Sequence, residues 1–414
     1  MAATMTDKNK TQLTLGYWRE GDKLLAQHAG SLTVEDLDYF FPTWLASLDR
    51  HSLCDARPWI TFTAARFLEE LLSPEWRVFE YGAGGSTLFF AERVRELITV
   101  EHDQDWLHRT AVGLRWRPTL RWHAHLVKPV VRTEPTPYAA TDPLSYASTD
   151  PRYEGMSFRD YAASIERYDN RHFDLILIDG RARPACFMHS VAKVKLGGYI
   201  VLDNAEREQY AYVEQAARRL GFEVREFWGP GPYNQYFWRT IFLRKTVERF
   251  ALNDLDTKLE AYLDFDGGTF IEAGANDGVN QSNTLYFEDR RGWRGLLVEP
   301  VVERAAECQR FRPRAIVENA ALVPAEHAAR SLTLRYADLM SVIKGGMHTQ
   351  EEEDAHIQVG CTVQNIQTHE FTAPTTTLSN LLDKHKITHV DLLSLDVEGY
   401  ELNVLKGLDL ARHR

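Results

Sequence analysis

Val78-Phe79-Glu80-Tyr81-Gly82-Ala83-Gly84-Gly85-Ser86-Thr87 is the stretch on which the reading of this chain turns. A short apolar strand runs into a carboxylate and then into a loop of Gly, Ala and Ser, where no side chain stands between a ligand and the backbone. About two hundred residues later the pattern returns as Thr269-Phe270-Ile271-Glu272-Ala273-Gly274-Ala275-Asn276-Asp277-Gly278, so the chain is organised by internal repetition.

Working outward, 414 residues are too many for one ordinary core and suit two domains of about 180 residues each. A hydrophobic content of 44%, with 10 Trp, 17 Tyr and 20 Phe, supports packed cores and excludes a disordered chain. The formal charge of −11, from 59 acidic and 48 basic residues without a basic block, argues against nucleic acid as a partner. Cys54, Cys186, Cys308 and Cys361 have no metal-binding spacing and read as reduced thiols. No apolar run reaches the ~20 residues that span a bilayer, and Met1 to Gln12 is polar rather than signal-like, so a cytoplasmic enzyme is expected. Composition leaves the oligomeric state open.

Four segments are expected. Residues 1–57 carry apolar residues at helical spacing (Leu37, Phe40, Phe41, Trp44, Leu45) after a frayed start over Met1 to Lys10, and read as helices that cap the first sheet or cover its ligand. Residues 58–245 alternate strands and helices, with continuous apolar strands such as Phe173 to Asp179 and Gly198 to Asn204, which imply a parallel sheet covered on both faces. Phe222 to Trp228 and Tyr236 to Leu243 close that domain as an antiparallel hairpin. Residues 246–268 read as a linker, and 269–414 as a second α/β domain whose last strands are missing if it copies the first. The fold class is therefore α/β, two tandem Rossmann-like doubly wound sheets. Lys128 to Asp169 is expected to be a lid or a disordered insertion, and Asp338 to Thr372 a solvated lid or loop.

Ligands of open α/β sheets bind at the carboxyl ends of the strands, where Glu80, Glu101, Asp179 and Asp203 fall. A carboxylate about 20 residues after a Gly-rich loop is suited to ribose hydroxyls, which marks Glu101 and Glu299. A dinucleotide loop needs a third glycine where Thr87 stands, and an acid directly before the loop repels phosphates but attracts an ammonium. Charge logic thus favours S-adenosylmethionine, with Glu80, Gly82, Gly84, Ser86 and Glu101 forming the first cofactor set.

Across roughly Trp59 to Lys245, including its closing hairpin, the chain resembles class I S-adenosylmethionine-dependent methyltransferases. From about Phe265 onward it resembles the FkbM-type methyltransferases, through Phe270 to Gly278, Leu297-Val298-Glu299-Pro300, Glu318 to Leu322 and Asp391 to Glu401. The resemblance implies that Glu272, Gly274, Asn276 and Gly278, in a loop that includes Asp277, line the methionine moiety, Glu299 the ribose and Asn319 the adenine region, while Asp396 faces the transferred methyl. It also implies a hydroxyl acceptor on a small molecule, natural product or saccharide.

Asp179, Asp203 and Asn204 offer oxygen ligands of the kind Mg²⁺ prefers and are similar to the metal site of catechol-type O-methyltransferases, where the ion acidifies the acceptor hydroxyl. The lysine that follows the first Asp there is replaced by Gly180-Arg181-Ala182-Arg183. Asp203-Asn204 also reads as an Asx turn, and Glu398 as either catalytic or a helix cap beside Asp396. Two other functions stay open: one domain as a scaffold or regulatory module for the other, and a nicotinamide-dependent oxidoreductase.

Overall fold

Arg77–Tyr81, the first half of the opening motif, forms β1, and its residues from Val78 to Tyr81 are fully buried. The computed structural model describes residues 7–28, 30–115, 121–133, 139–246 and 249–413. Parts of three expected segments, at 1–6, 134–138 and 247–248, lie outside the described residues. The chain divides into two compact units, Met1–Val247 and Glu248–Arg414.

In the first unit β2 (Glu96–Glu101), β3 (Trp122–Leu126), β4 (Val130–Val131), β5 (Met156–Ser157), β6 (Phe173–Ile178), β7 (Val194–Leu202), β8 (Phe222–Gly229) and β9 (Trp238–Lys245) follow β1. Seven of them make one sheet in the order β3-β2-β1-β6-β7-β9-β8. The first five are parallel, and β9 and β8 enter antiparallel. The chain winds outward from β1 to β3 and then returns to the other side of β1 at β6, which makes the β1/β6 edge the topological switch point where such sheets bind ligands. Helices Phe62–Leu71, Gly85–Ala91, Gln104–Leu114, Arg183–Ser190 and Ala211–Arg219 accompany the sheet. Val78, Leu97, Leu175, Leu177 and Val201 share one core with Leu68, Phe90 and Phe242, and each such side chain contributes ~1.5–3 kcal/mol before entropy is counted.

The N-terminal helices Asp7–Gln27 and Val34–Ser47 belong to this unit. A reciprocal Thr33–Asp36 capping box starts the second of them. Tyr17, Leu37, Phe40 and Trp44 then pack with Phe62 and against Trp228 and Phe237 of the closing hairpin region. Much of the stretch from Lys128 to Asp169 is folded rather than a lid or a disordered insertion. Asp142 and Asp150 cap short turns at Pro143–Ser145 and Pro151–Tyr153, while Phe158, Tyr161, Ala162 and Ile165 are fully buried. Its aromatic residues supply the burial that composition in Pro, Thr and Asp concealed.

The second unit repeats the winding. β10 (Thr269–Ala273), β11 (Arg294–Val298), β12 (Ile316–Glu318), β13 (Ala321–Leu322), β14 (Ser331–Arg335), β15 (Val342–Ile343), β16 (Glu370–Thr376) and β17 (Leu392–Leu395) follow in order. The parallel sheet reads β12-β11-β10-β17, the counterpart of β3-β2-β1-β6 in the first unit, and β13-β16-β14-β15 form a second small sheet. The expected loop from Asp338 to Thr372 contains a 15-residue helix, Gln350–Gln364, capped by Thr349. Its acidic run sits in the first turn, where carboxylates offset the helix dipole, and Glu353 is buried against Arg335 at 3.0 Å. The expected linker also folds into this unit: Leu259 and Leu263 pack on the core of Phe270, Phe287 and Trp293, and Trp293 Nε1 donates to Phe265 O at 2.9 Å.

Candidate functional site

At the carboxyl ends of β1, β2, β6 and β7 a cavity of about 420 Å³ is lined by Gly82 to Ser86, Glu101, Asp179, Asp203 and Asn204. That volume lies within the ~300–1,000 Å³ of small-molecule pockets. Gly82 turns the chain at φ 104°, and a Cβ there would come within 3.1 Å of Gly180 Cα, so the glycine lets the loop pass the end of β6. Gly84 instead has room for a Cβ, which would make ordinary contact with Trp106 Nε1 at 3.7 Å. Glu101 Oε2 accepts the Ala83 N–H at 2.8 Å, and Oε1 accepts those of His102 and Asp103 at 2.6 and 2.8 Å. A carboxylate oxygen carries two lone pairs, so Oε2 keeps acceptor capacity for a ligand hydroxyl.

Glu80 is not part of the cavity wall. Its oxygens accept from Ser86 Oγ at 2.9 Å and Thr99 Oγ1 at 2.7 Å, and burial pushes its carboxyl up to about 7. It ties the loop to β2 instead of presenting charge to an ammonium group. Ser86 does line the cavity, with its hydroxyl committed to Glu80.

The oxygen set expected for Mg²⁺ is built around a guanidinium. Arg183 is buried and donates from Nη2 to Asp179 Oδ1 at 2.9 Å and to the carbonyl oxygens of Asp179 and, through Nη1, Asp203. Asp203 Oδ1 accepts from Trp238 Nε1 at 2.8 Å and Thr240 Oγ1 at 2.6 Å. Burial first, and then Asp179, push Asp203 up to about 7. A fixed cation already pairs with Asp179, Asp203 Oδ1 is taken by Trp238 and Thr240, and a divalent ion beside them would meet like charge, so this donor set does not fit Mg²⁺. Asn204 lines the cavity at φ 52°. Among the described residues no group of three or more His, Cys, Asp or Glu is arranged to hold a metal.

In the second unit a smaller cavity of about 60 Å³ lies at the ends of β10, β11 and β17. Gly274, Asn276, Glu299, Asp396 and Glu398 line it. Gly274 adopts φ 80°, and a Cβ there would sit 1.8 Å from Asp396 O, so the loop packs directly on the chain leaving β17. Glu299 is buried, accepts one N–H per oxygen (Asn276 and Val301, both 2.8 Å), and is pushed up to about 7 by burial. Four expected residues stand elsewhere. Glu272 accepts from Ser282, Thr284 and the Asn283 N–H, and Asp277 accepts the N–H groups of Val279 and Asn280. Gly278 packs on Cys308 and Arg312, and Asn319 donates to the carbonyls of Glu299 and Pro300. They shape the loop and the end of β11 without lining the cavity.

Residues that sequence reasoning missed also come in. Asp338, from the segment expected to be a loop, adopts φ 52°, accepts from Asn276 Nδ2 at 3.1 Å and pairs with Arg304 at 2.7 Å while lining the cavity. His356, on helix Gln350–Gln364, lies 3.3 Å from Glu398, which sits at φ 51° and is pushed up to about 7 by burial, Asp396 and Glu401. Burial, then Glu401, also raises Asp396. In the first unit Arg152, Tyr153 and Arg207 join the wall.

The fold and site geometry bear comparison with known proteins. No curated protein matches the chain. Among solved structures the chain is similar to a methyltransferase-like protein from Silicibacter pomeroyi, with 21% identity over 46% of this chain and 92% of that one and a TM-score of 0.31. It is similar to an O-methyltransferase from Bacillus cereus solved in complex with SAH, with 14% identity, coverage of 56% and 100%, and a TM-score of 0.34. A putative methyltransferase from Streptococcus mutans, also in complex with SAH, shares 11% identity over 43% and 93% with a TM-score of 0.30. Residues 272–414 match the family model of the methyltransferase FkbM domain. Over that stretch, about a third of its length, the chain is similar to the methyltransferase FkbM domain.

Proposed function

We propose that the chain is an S-adenosylmethionine-dependent methyltransferase with a cofactor site in each unit, acting on a hydroxyl oxygen of a small molecule or saccharide. One observation carries the reading. In both units a carboxylate at the end of the second strand accepts a backbone N–H from the glycine loop at 2.8 Å, Glu101 from Ala83 and Glu299 from Asn276. The same bond at the same topological place locks the same loop twice, and each carboxylate keeps lone pairs for ribose hydroxyls.

Bound S-adenosylmethionine supplies a methyl group on a positively charged sulfur. In the first unit Asp203 lines the cavity beyond Asp179 and, at about 7, is poised to take the acceptor's proton near neutral pH. Arg183 donates to Asp179 Oδ1 beside it and keeps the pair in place. In the second unit Asp396 and Glu398 stand where the acceptor oxygen loses its proton. Both pockets orient the two reactants, a contribution that comes without a metal ion. Among the described residues no helix is long and apolar enough to cross a membrane, and the free cysteines suit the cytoplasm we assign to the enzyme.

The 60 Å³ of the second cavity is too small for a nucleoside, so the Asp338 to Ile343 segment that lines it must shift on binding. The same observation favours the second reading, a C-terminal unit that serves as a scaffold. Incubation with methyl-tritiated S-adenosylmethionine and a panel of phenols, catechols and sugars tests the proposal. Oxygen-linked label is expected with wild type, reduced but present in Gly84→Arg. Label lost altogether in Gly84→Arg supports the scaffold, and label on nitrogen or carbon alone, or none, overturns hydroxyl transfer.

A further inference from the structure

The first unit's cavity has two halves. Glu101 marks one, at the end of β2, and Asp203 and Asn204 mark the other, at the end of β7, with Asp179 at the end of β6 between them. The half beyond Asp179 is the acceptor's, a point that rests on the cofactor reading above.

Guanidiniums stand in this wall beside the carboxylates of Asp179 and Asp203. Arg181, Arg183 and Arg207 all line the cavity, and all three act on Asp179, whose carboxyl burial raises and these guanidiniums lower. Arg183 is buried and spends its donors on Asp179 and on carbonyls. Arg181 shares one carboxylate with Arg152: Asp150 lies 3.1 Å from Arg181 and 2.7 Å from Arg152. Arg181 Nε also reaches His102 Nε2 at 3.4 Å, and with Asp150 shared between two guanidiniums it keeps donor capacity for a ligand. Arg207 has Glu206 only at 3.8 Å, beyond hydrogen-bond reach, and its side chain is 39% exposed. The same wall holds Trp59 and Tyr236, 41% and 51% exposed, aromatic surface suited to a planar ring or a sugar face.

We propose that the first unit's acceptor is a ring compound carrying an anionic group, a carboxylate or phosphate, held by Arg207 and Arg181 against Trp59 and Tyr236. Guanidinium forks match planar oxyanions in two parallel hydrogen bonds, a match that lysine cannot reproduce. The anionic group thereby anchors the ring with its hydroxyl turned to Asp203. Transfer forms the O–CH₃ bond, breaks the S–CH₃ bond and passes the hydroxyl proton to Asp203, so the sulfonium charge is discharged and no further reactant is needed.

Trp fluorescence titration of the full chain tests this, with and without S-adenosylhomocysteine. The probes are 4-hydroxybenzoate and phenyl phosphate as aromatic anions, glucuronate as a sugar acid, and 4-hydroxybenzyl alcohol and glucose as neutral counterparts. At least one anion is expected to bind tenfold or more tighter than its neutral partner. Arg207→Gln should weaken the anion about tenfold or more and leave the neutral compound unchanged, as loss of a charge-assisted hydrogen bond predicts, with Arg207→Lys only partly restoring it. In wild type the preference should shrink as salt is raised. Equal binding of charged and neutral probes, or anion binding indifferent to Arg207→Gln and to salt, overturns the proposal. Anion binding that survives when S-adenosylhomocysteine fails to bind leaves this site standing and removes the cofactor reading alone.

Discussion

Cofactor binding to the second unit should expel a proton from Glu299. Burial pushes this carboxyl up to about 7 in the free chain, against the N–H groups of Val301 and Asn276. Its folded pKa lies above the ordinary carboxyl value, so its contribution to stability is complete below about 4.5 and is lost as pH rises through 7. Ribose hydroxyls donate to the ionised form, so binding reverses the shift. If binding returned the group to about 4.5, the coupling would be ~3 kcal/mol at 1.36 kcal/mol per pKa unit, and affinity would rise roughly seventy-fold from pH 5 to pH 8. Calorimetric titration of S-adenosylhomocysteine into Gly84→Arg, whose first cavity is blocked, isolates the second site. At pH 7 the heats in phosphate and Tris should differ by the release of about half a proton, because a group with a pKa of about 7 is half protonated there. Glu398, also pushed up to about 7, is removed from the count by repeating the titration in Glu398→Gln. Heats independent of buffer together with an affinity flat from pH 5 to pH 8 would refute the ribose role of Glu299.

Other consequences follow from the same contacts. Gly274→Ala forces a side chain into φ 80° and 1.8 Å from Asp396 O, so a urea midpoint should report a loss well above the ~1–2 kcal/mol of the backbone term alone. Gly84→Ala, with 3.7 Å of clearance, should change stability by less than about 0.5 kcal/mol, and equal losses for the two would contradict the packing described. Arg312 is buried and donates to Glu288 at 2.6 Å, Gly278 O, Ser282 and Thr284, so Arg312→Met should cost ~3–5 kcal/mol by stranding a buried carboxylate. Transfer by the first unit should be unaffected by a chelator, because Arg183 supplies the charge beside Asp179 and Asp203; a tenfold loss restored by Mg²⁺ would overturn that assignment.

What the sequence made legible was the part of the fold that repeats. Continuous apolar strands such as Phe173–Ile178 can only be buried on both faces, and their alternation with helices leads to the parallel sheets observed. The carboxylates at the ends of β2 and β11, Glu101 and Glu299, and their spacing from the glycine loops were readable too, and both line cavities. The glutamates before the loops were misjudged because charge was weighed without register. Glu80 pairs across β1 with Thr99 of β2, and Glu272 with Ser394 of β17, so both acids face strand neighbours rather than solvent. The two polar segments hid their structure in caps and long-range aromatic burial, such as Thr349 on its helix and Tyr81 Oη donating to Ala162 O at 2.7 Å. Asp338, His356 and Arg207 reach their sites through such segments and turns, and no local spacing announces them.

The most direct test of two cofactor sites is the stoichiometry of S-adenosylhomocysteine on the full chain by calorimetry. Two sites are expected, one lost in Gly84→Arg and the other in Glu299→Gln, with the remaining site unchanged in each case. A single site abolished by Gly84→Arg would reduce the second unit to a scaffold, and no binding at all would contradict the account at its root.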